Sequence, residues 1–377
     1  MRQAFARKII PCVSVVVLAA YASAEESTFK TCYARWSNSE LIIGNSHIER
    51  KWQIKDGLLT ATSFRDLSAG CEWIAKPAGS PAPCPDGITS GDQRTVTVTT
   101  RNGKIGPVEE ESLVVEMTAA GKQTLNYQLQ IFPAARGVAI RFKAEGTAAE
   151  KKTKSKPADA ATGIEEASQA AAAKDSGDSL EDLHLAPQHL KFTQVTLLDQ
   201  TDIHNELVFE NDWLLMPNEA QLKLPGNVFY IENQLTGAGL IFLKQAPLPH
   251  ARPVKSEWDA LVTPGARRIR FAGQGYPFVL LAYTGGRFGR IEALQSYQRQ
   301  LRAYDPQRDG MFLSNTWGDR SRDARINEEF MLKEIAAGAK LGVDVVQIDD
   351  GWQKGRTANS AKAKGGVWNG YWAADPN

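Results

Sequence analysis

The sequence predicts a multidomain β plus α/β fold: an antiparallel β-sandwich over residues 25–284, then a parallel strand–helix–strand unit within residues 310–377. Three observations predict it. Between residues 30 and 283 short apolar runs recur between turn residues without helical periodicity, the pattern of a sandwich. After Gly285-Gly286 the apolar period becomes helical. From Met311 onward two short apolar runs flank one amphipathic stretch, which is the pattern of a βαβ unit and so of parallel strands.

The chain opens on a basic head (Arg2, Arg7, Lys8), an uncharged apolar run over residues 9–21, and the small-residue triplet Ala22-Ser23-Ala24. This is the layout of a secretory signal, so residues 1–24 are expected to be removed and the mature chain to begin at Glu25. The run falls short of the about 20 residues that a membrane span needs, and no other stretch approaches that length. An exported protein, periplasmic or extracellular, is the expectation. Cys12 precedes the apolar core and lacks small residues before it, which excludes a lipoprotein signal. Cys32, Cys71 and Cys84 remain after processing. One disulfide with one spare thiol fits an oxidising compartment, with Cys71–Cys84 closing the shortest loop. There is no CxxC pair and no nearby histidine, so no zinc site is expected.

In the sandwich region, Leu41-Ile42-Ile43 is an apolar run closed by Gly44-Asn45. Trp52-Gln53-Ile54, then Asp56-Gly57, then Leu58-Leu59-Thr60-Ala61-Thr62 is a hairpin signature with a preferred turn pair. Further strands are expected at 95–99, 113–117, 125–132, 138–142, 192–198, 239–243, 269–271 and 278–283. One insertion, at about 144–180, breaks the pattern. Residues 144–179 hold eleven alanines, and Ile164 is the only large aliphatic residue before Ser179. Such composition buries too little apolar surface to offset its ordering entropy, so a disordered insertion between strands is expected. Ile291, Leu294, Tyr297, Leu301 and Tyr304 then recur at helical spacing, giving a helix over 290–303 within a connector at 285–309. Asp305-Pro306 ends it.

In the last segment, Met311-Phe312-Leu313-Ser314-Asn315-Thr316-Trp317 is a strand turning polar at its end. Residues 327–341 form a helix: Glu328 and Glu329 suit its positive N-terminus and Gly342 its exit. Met331, Ile335 and Ala339, with Leu332 and Ala336, give it an apolar side. Val343-Asp344-Val345-Val346-Gln347-Ile348 is the second strand, followed by Asp349-Asp350-Gly351-Trp352.

Composition narrows the function. The balance of 42% hydrophobic and 23% charged residues is that of a globular protein, and a net charge of +1 argues against a nucleic-acid partner. In parallel α/β folds function gathers at the carboxyl ends of strands. Both predicted strands end in polar groups beside tryptophan: Asn315 with Trp317, and Asp349 and Asp350 with Trp352. A carboxylate can accept from two neighbouring sugar hydroxyls, each charge-assisted bond contributing roughly 1.5–3 kcal/mol. An indole face covers the apolar side of a pyranose. Together these types make a saccharide pocket. Adjacent Asp349 and Asp350 diverge at a strand end, whereas glycosidic cleavage needs carboxyls facing across the bond at about 5–5.5 Å or 6.5–9.5 Å. They are therefore assigned to binding. The bland alternative is loop capping, or pairing with Arg320 or Arg325. A divalent metal lacks a further carboxylate cluster, so no metal or cofactor is expected.

Asn315-Thr316-Trp317 and residues 341–352, ending Ile348-Asp349-Asp350-Gly351-Trp352, resemble the first two barrel strands of glycoside hydrolase family 36 α-galactosidases. Families 27 and 31 are more distant relatives. Residues 52–59, 66–73 and 286–304 resemble that family's sandwich and connector. The resemblance implies an incomplete (β/α)8 TIM barrel from 310 to 377, with Asp349 and Asp350 on the 4- and 6-hydroxyls of a terminal α-galactose and Trp317 lining the pocket. Trp352 is adjacent, as a further substrate contact or as packing. The family's aspartate nucleophile and acid/base lie on its fourth and sixth barrel strands and match nothing here, so no catalytic residue is assigned. The 377-residue chain is thus expected to be an inactive fragment, poorly soluble at its carboxyl end. The rival readings are a non-catalytic carbohydrate-binding or structural sandwich, a transferase of the raffinose-synthase type, and an α-N-acetylgalactosaminidase. The five histidines (His47, His184, His189, His204, His250) all fall in the sandwich, which gives a triad hydrolase little support.

Overall fold

The computed structural model describes residues 25–85, 87–88, 91–103, 111–145, 178–197, 208–252, 256–273, 275–302, 304–316 and 326–349, with the short strands Gln353–Lys354 and Ala373–Ala374. The expected signal segment, residues 146–177 of the insertion, and Trp317, Asp350 and Trp352 lie outside the described residues. The chain divides into two compact units, Met1–Arg302 and Ala303–Asn377.

The first unit is built from antiparallel sheets. A six-stranded meander runs Glu25–Phe29, Cys32–Trp36, Glu40–Gly44, Ile48–Lys55, Leu58–Asp66 and Cys71–Glu72. Its central hairpin turns at Asp56 and Gly57, with φ of 53° and 73°, and Lys55 pairs with Leu58. Two successive left-handed residues match the twist of the flanking strands, which is why Asp-Gly marks the turn. A Cβ at Gly57 would also sit 2.6 Å from that of Ala119, so only glycine fits there.

A nine-stranded sheet carries the rest of the core. Its spatial order is Val208–Leu214, Leu190–Leu197, Val228–Asn233, Gly239–Lys244, Phe278–Tyr283, Gly137–Glu145, Thr124–Ile131, Ser112–Ala120 and Thr95–Gly103. A four-stranded sheet of Asp178–His184, Arg268–Gly273, Ala260–Thr263 and Leu222–Leu224 completes the unit. The flanks of the alanine-rich insertion are therefore strands: Ala144 and Glu145 close one, and Asp178 opens another whose Leu180 is fully buried.

One hydrophobic core joins all three sheets. Phe242 of the nine-stranded sheet stacks on Phe271 of the four-stranded sheet, with ring centroids 3.9 Å apart. Between the six- and four-stranded sheets, Arg50 donates from Nη1 and Nη2 to both carboxylate oxygens of Glu181, at 3.0 and 3.2 Å. Neither side chain reaches solvent. The guanidinium also lies 4.7 Å from the Trp52 ring centroid and 4.9 Å from that of Phe64. The bidentate fork and the two rings replace the water that a buried arginine loses.

The outer face of the nine-stranded sheet is covered by the helix Gly286–Leu301. It starts four residues before the expected position because Gly285, at φ 87°, serves as its cap. Gly289 is needed for that start, since a Cβ there would lie 1.5 Å from the Thr284 carbonyl oxygen. The helix buries Ala293 and Tyr297 against Val279, Leu281 and Tyr283. Ile291 and Tyr304, placed on the apolar stripe by spacing, are exposed. Arg290 is buried too, donating to both oxygens of Glu210 at 3.0 and 3.2 Å, with its guanidinium 4.0 Å from the Tyr230 ring centroid.

Cys32, Cys71 and Cys84 form no disulfide, so the shortest-loop pairing of Cys71 with Cys84 is not made. Burial pushes the Cys32 thiol up to about 12, far from the thiolate range.

Truncating one partner of the buried Arg50–Glu181 pair strands the other charge. Arg50→Met is expected to lower unfolding stability by about 3–5 kcal/mol, and the double change Arg50→Met with Glu181→Leu to recover most of it. Urea unfolding of the three proteins checks this; equal losses for the single and double variants would contradict it.

Candidate functional site

The second unit contains the expected parallel pair. Leu313–Asn315 lies beside Val345–Gln347, with Leu313 opposite Val345 and Asn315 opposite Gln347. The helix Glu328–Leu341 connects them. Asn327 caps it, its side-chain oxygen accepting from the Phe330 N–H at 2.9 Å. Glu328 and Glu329 occupy the first turn, where a carboxylate meets the positive helix end. Gly342 closes the helix at φ 76°, its N–H bonded to the Ala339 and Gly338 carbonyls. Met331 and Gly338 are buried, but Leu332 and Ile335, expected on the apolar side, are 60% and 48% exposed. Ala373–Ala374 pairs antiparallel with Gln353–Lys354.

Three bonds tie the carboxyl ends of the two parallel strands. The Asn315 side-chain amide donates to Asp349 Oδ2 at 3.1 Å. The Asp349 backbone N–H donates to Thr316 Oγ1 at 2.8 Å, and the Thr316 N–H donates to the Gln347 carbonyl at 3.1 Å. Thr316 is buried, whereas Asn315 and Asp349 are half-buried at the rim. At the opposite strand ends, Asp344 Oδ2 accepts the Phe312 N–H at 2.8 Å, which fixes the register from below.

Of the expected sugar contacts, Asp349 is therefore placed at the strand end with one carboxylate oxygen oriented by Asn315. Trp317, Asp350 and Trp352 fall outside the described residues, as do Arg320 and Arg325. Thr316 carries a role that its sequence position did not announce: its hydroxyl accepts the N–H that sets the Asp349 backbone. Only a threonine directly after a strand-ending asparagine hinted at it. What the arrangement offers chemically is a carboxylate with one oxygen oriented by the Asn315 amide, an acceptor for hydroxyl groups. Among the described residues no cluster of three His, Cys, Asp or Glu side chains could hold a metal ion. No helix among them is long and apolar enough to cross a membrane. His47, His184, His189 and His250 lie in the sandwich unit: burial pushes the His47 imidazole down, with Arg136 adding to it, and burial does the same at His184.

Thr316→Val removes the acceptor of the Asp349 N–H while keeping the side-chain shape. Hydrogen exchange at the Asp349 amide is expected to quicken about tenfold, the equivalent of about 1.4 kcal/mol. An unchanged rate would remove Thr316 from this role.

No protein-family model matches the chain, and no curated protein does. Solved structures do. The glycoside hydrolase family 36 α-galactosidase AgaA from Geobacillus stearothermophilus matches at 10% identity and TM-score 0.52, covering 89% of this chain and 52% of that one. AgaB from the same organism matches at 10% identity and TM-score 0.50, covering 89% and 53%. An AgaA variant solved in complex with raffinose matches at 10% identity and TM-score 0.52, covering 84% and 50%. This chain, which spans about half the length of those structures, shares the fold of glycoside hydrolase family 36 α-galactosidases over most of its own length.

Proposed function

We propose that this chain is the sandwich and the opening part of a (β/α)8 barrel of an exported α-galactosidase-type glycoside hydrolase. The observation that carries the reading is Asp349, held at the carboxyl end of the second of two parallel strands by Asn315 and Thr316. Active sites of such barrels gather at that end of the strands. The shared fold and the α-galactosidase names of the matched structures support the same reading, as does a raffinose complex of one of them. In this proposal Asp349 and Asp350 accept from hydroxyls of a terminal α-galactose while Trp317 and Trp352 line the pocket. Bond cleavage with retention falls to two further carboxyl groups, which the strand ends described here do not supply. Export follows from the basic, apolar and small-residue layout of residues 1–24.

The exposed apolar side chains of the second unit fit an unfinished barrel. Phe312, Leu313, Leu332, Ile335, Leu341 and Ile348 are between 42% and 77% exposed, a surface that in a (β/α)8 barrel meets neighbouring strands and helices.

Two measurements test the proposal. The purified 377-residue chain should give no turnover of a chromogenic α-galactoside; clear turnover would show that the cleaving residues are already present. In a protein extended through all eight barrel strands, Asp349→Asn should lower kcat/KM on the same substrate by about 10- to 150-fold, the loss of one charge-assisted bond. Unchanged kinetics with an intact circular dichroism spectrum would overturn the sugar-binding assignment.

A further inference from the structure

A separate hollow lies wholly within the sandwich unit, on the outer face of the nine-stranded sheet beside the helix Gly286–Leu301. It has a volume of about 250 Å³. Its floor is low because Ala139 presents only a methyl group between longer neighbours, opposite Gln130 across the strand pair. Arg141, opposite Gln128, is the one charged side chain among its lining residues. It is half-buried and makes no ion pair among the described residues. Glu116, which lines an adjoining hollow together with Arg141, is already engaged by Arg101 and by the Gln128 amide.

Four glutamines line the hollow, and three of them, Gln128, Gln130 and Gln245, are oriented through their nitrogens. Gln128 donates to Glu116 at 3.0 Å, Gln130 to the Ser112 hydroxyl at 2.7 Å, and Gln245 to the Tyr297 hydroxyl at 3.1 Å. Their side-chain oxygens accept no hydrogen bond among the described residues. Fixed amide oxygens are acceptors for hydroxyl groups, and a guanidinium without a carboxylate is a planar fork for one. A second hollow of about 350 Å³ adjoins the first, sharing Gln128 and Arg141 and adding Asn126, Lys143 and the already engaged Glu116. No exposed aromatic ring lines either hollow, so a neutral sugar finds no stacking platform. The first hollow is smaller than a drug-sized pocket, which starts at roughly 300 Å³, and suits a single ring.

We propose that this groove is a second, non-catalytic saccharide site that takes an acidic oligosaccharide. One hexuronate ring sits over Ala139 with its carboxylate on Arg141 and its hydroxyls on the glutamine oxygens. The next ring lies toward Lys143. The assignment needs no hydrolase activity and does not rest on the strand-end reading.

Isothermal titration calorimetry of the full 377-residue chain with trigalacturonate tests it, with a neutral galactose trisaccharide and sodium acetate as the other titrants. Trigalacturonate should bind with a Kd of roughly 1 mM or tighter, weakening as salt rises. The neutral trisaccharide should bind at least about tenfold more weakly, and acetate not at all. Arg141→Gln should weaken trigalacturonate binding by about tenfold or more, and Ala139→Leu should abolish it by filling the floor. Thermal melts of both variants show whether the sandwich stays folded; Arg141→Gln, at a half-buried site without an ion pair, is the variant expected to melt unchanged. Absence of binding, equal affinity for the neutral trisaccharide, or full affinity in a folded Arg141→Gln protein would each overturn the proposal.

Discussion

The strand Phe278–Tyr283 is buried at all six positions, so it has no face to give to water. Alternate side chains of a strand point to opposite sides. Phe278, Leu280 and Ala282 therefore join the core between the sheets, while Val279, Leu281 and Tyr283 need a cover of their own. The helix Gly286–Leu301 is that cover, and it must begin almost at once after the strand ends. The left-handed Gly285 and the bare Gly289 make so abrupt a turn sterically feasible. Arg290 then ties the helix to Glu210 on the edge strand, over the ring of Tyr230. Burying both faces of one central strand thus dictates the glycines, the helix and the charge clamp around it.

The same requirement accounts for what the sequence revealed and what it hid. Local chemistry was legible. The Asp56-Gly57 turn, the first-turn acids of the second-unit helix and its exit at Gly342 each carry a signal within a few residues. A consecutive apolar run such as 278–283 was also legible as a strand. Long-range pairing was not. Val208–Leu214 sits at the sheet edge with six of its seven residues exposed and shows no alternation to betray it. Asp178–His184 reads as polar because Glu181 and Asp182 are buried against Arg50 and Arg268, partners that lie 131 and 86 residues away. The helix start was misplaced because adjacent glycines signal a turn, and here they serve both turn and helix.

At the strand ends the division is similar. Asn315 and Asp349 could be picked out because polar side chains closing apolar strands have no core to enter. The hydroxyl of Thr316 could not, since its partner is a backbone N–H whose position depends on the parallel register. Leu332 and Ile335 show the converse: helical spacing identifies an apolar face correctly, but spacing carries no information about what covers it.

The bond between Asn315 and Asp349 spans only 34 residues of chain, within one strand–helix–strand segment. In the sandwich, by contrast, Arg50 must wait for Glu181. Contacts of short sequence separation close with little loop entropy and form early. During synthesis the sandwich would need more than half the chain to emerge before its sheets could pair. The strand-end carboxylate can be set within one short stretch as that stretch leaves the ribosome. The bond from Asn315 is in this sense a local inheritance, available at the pace of translation.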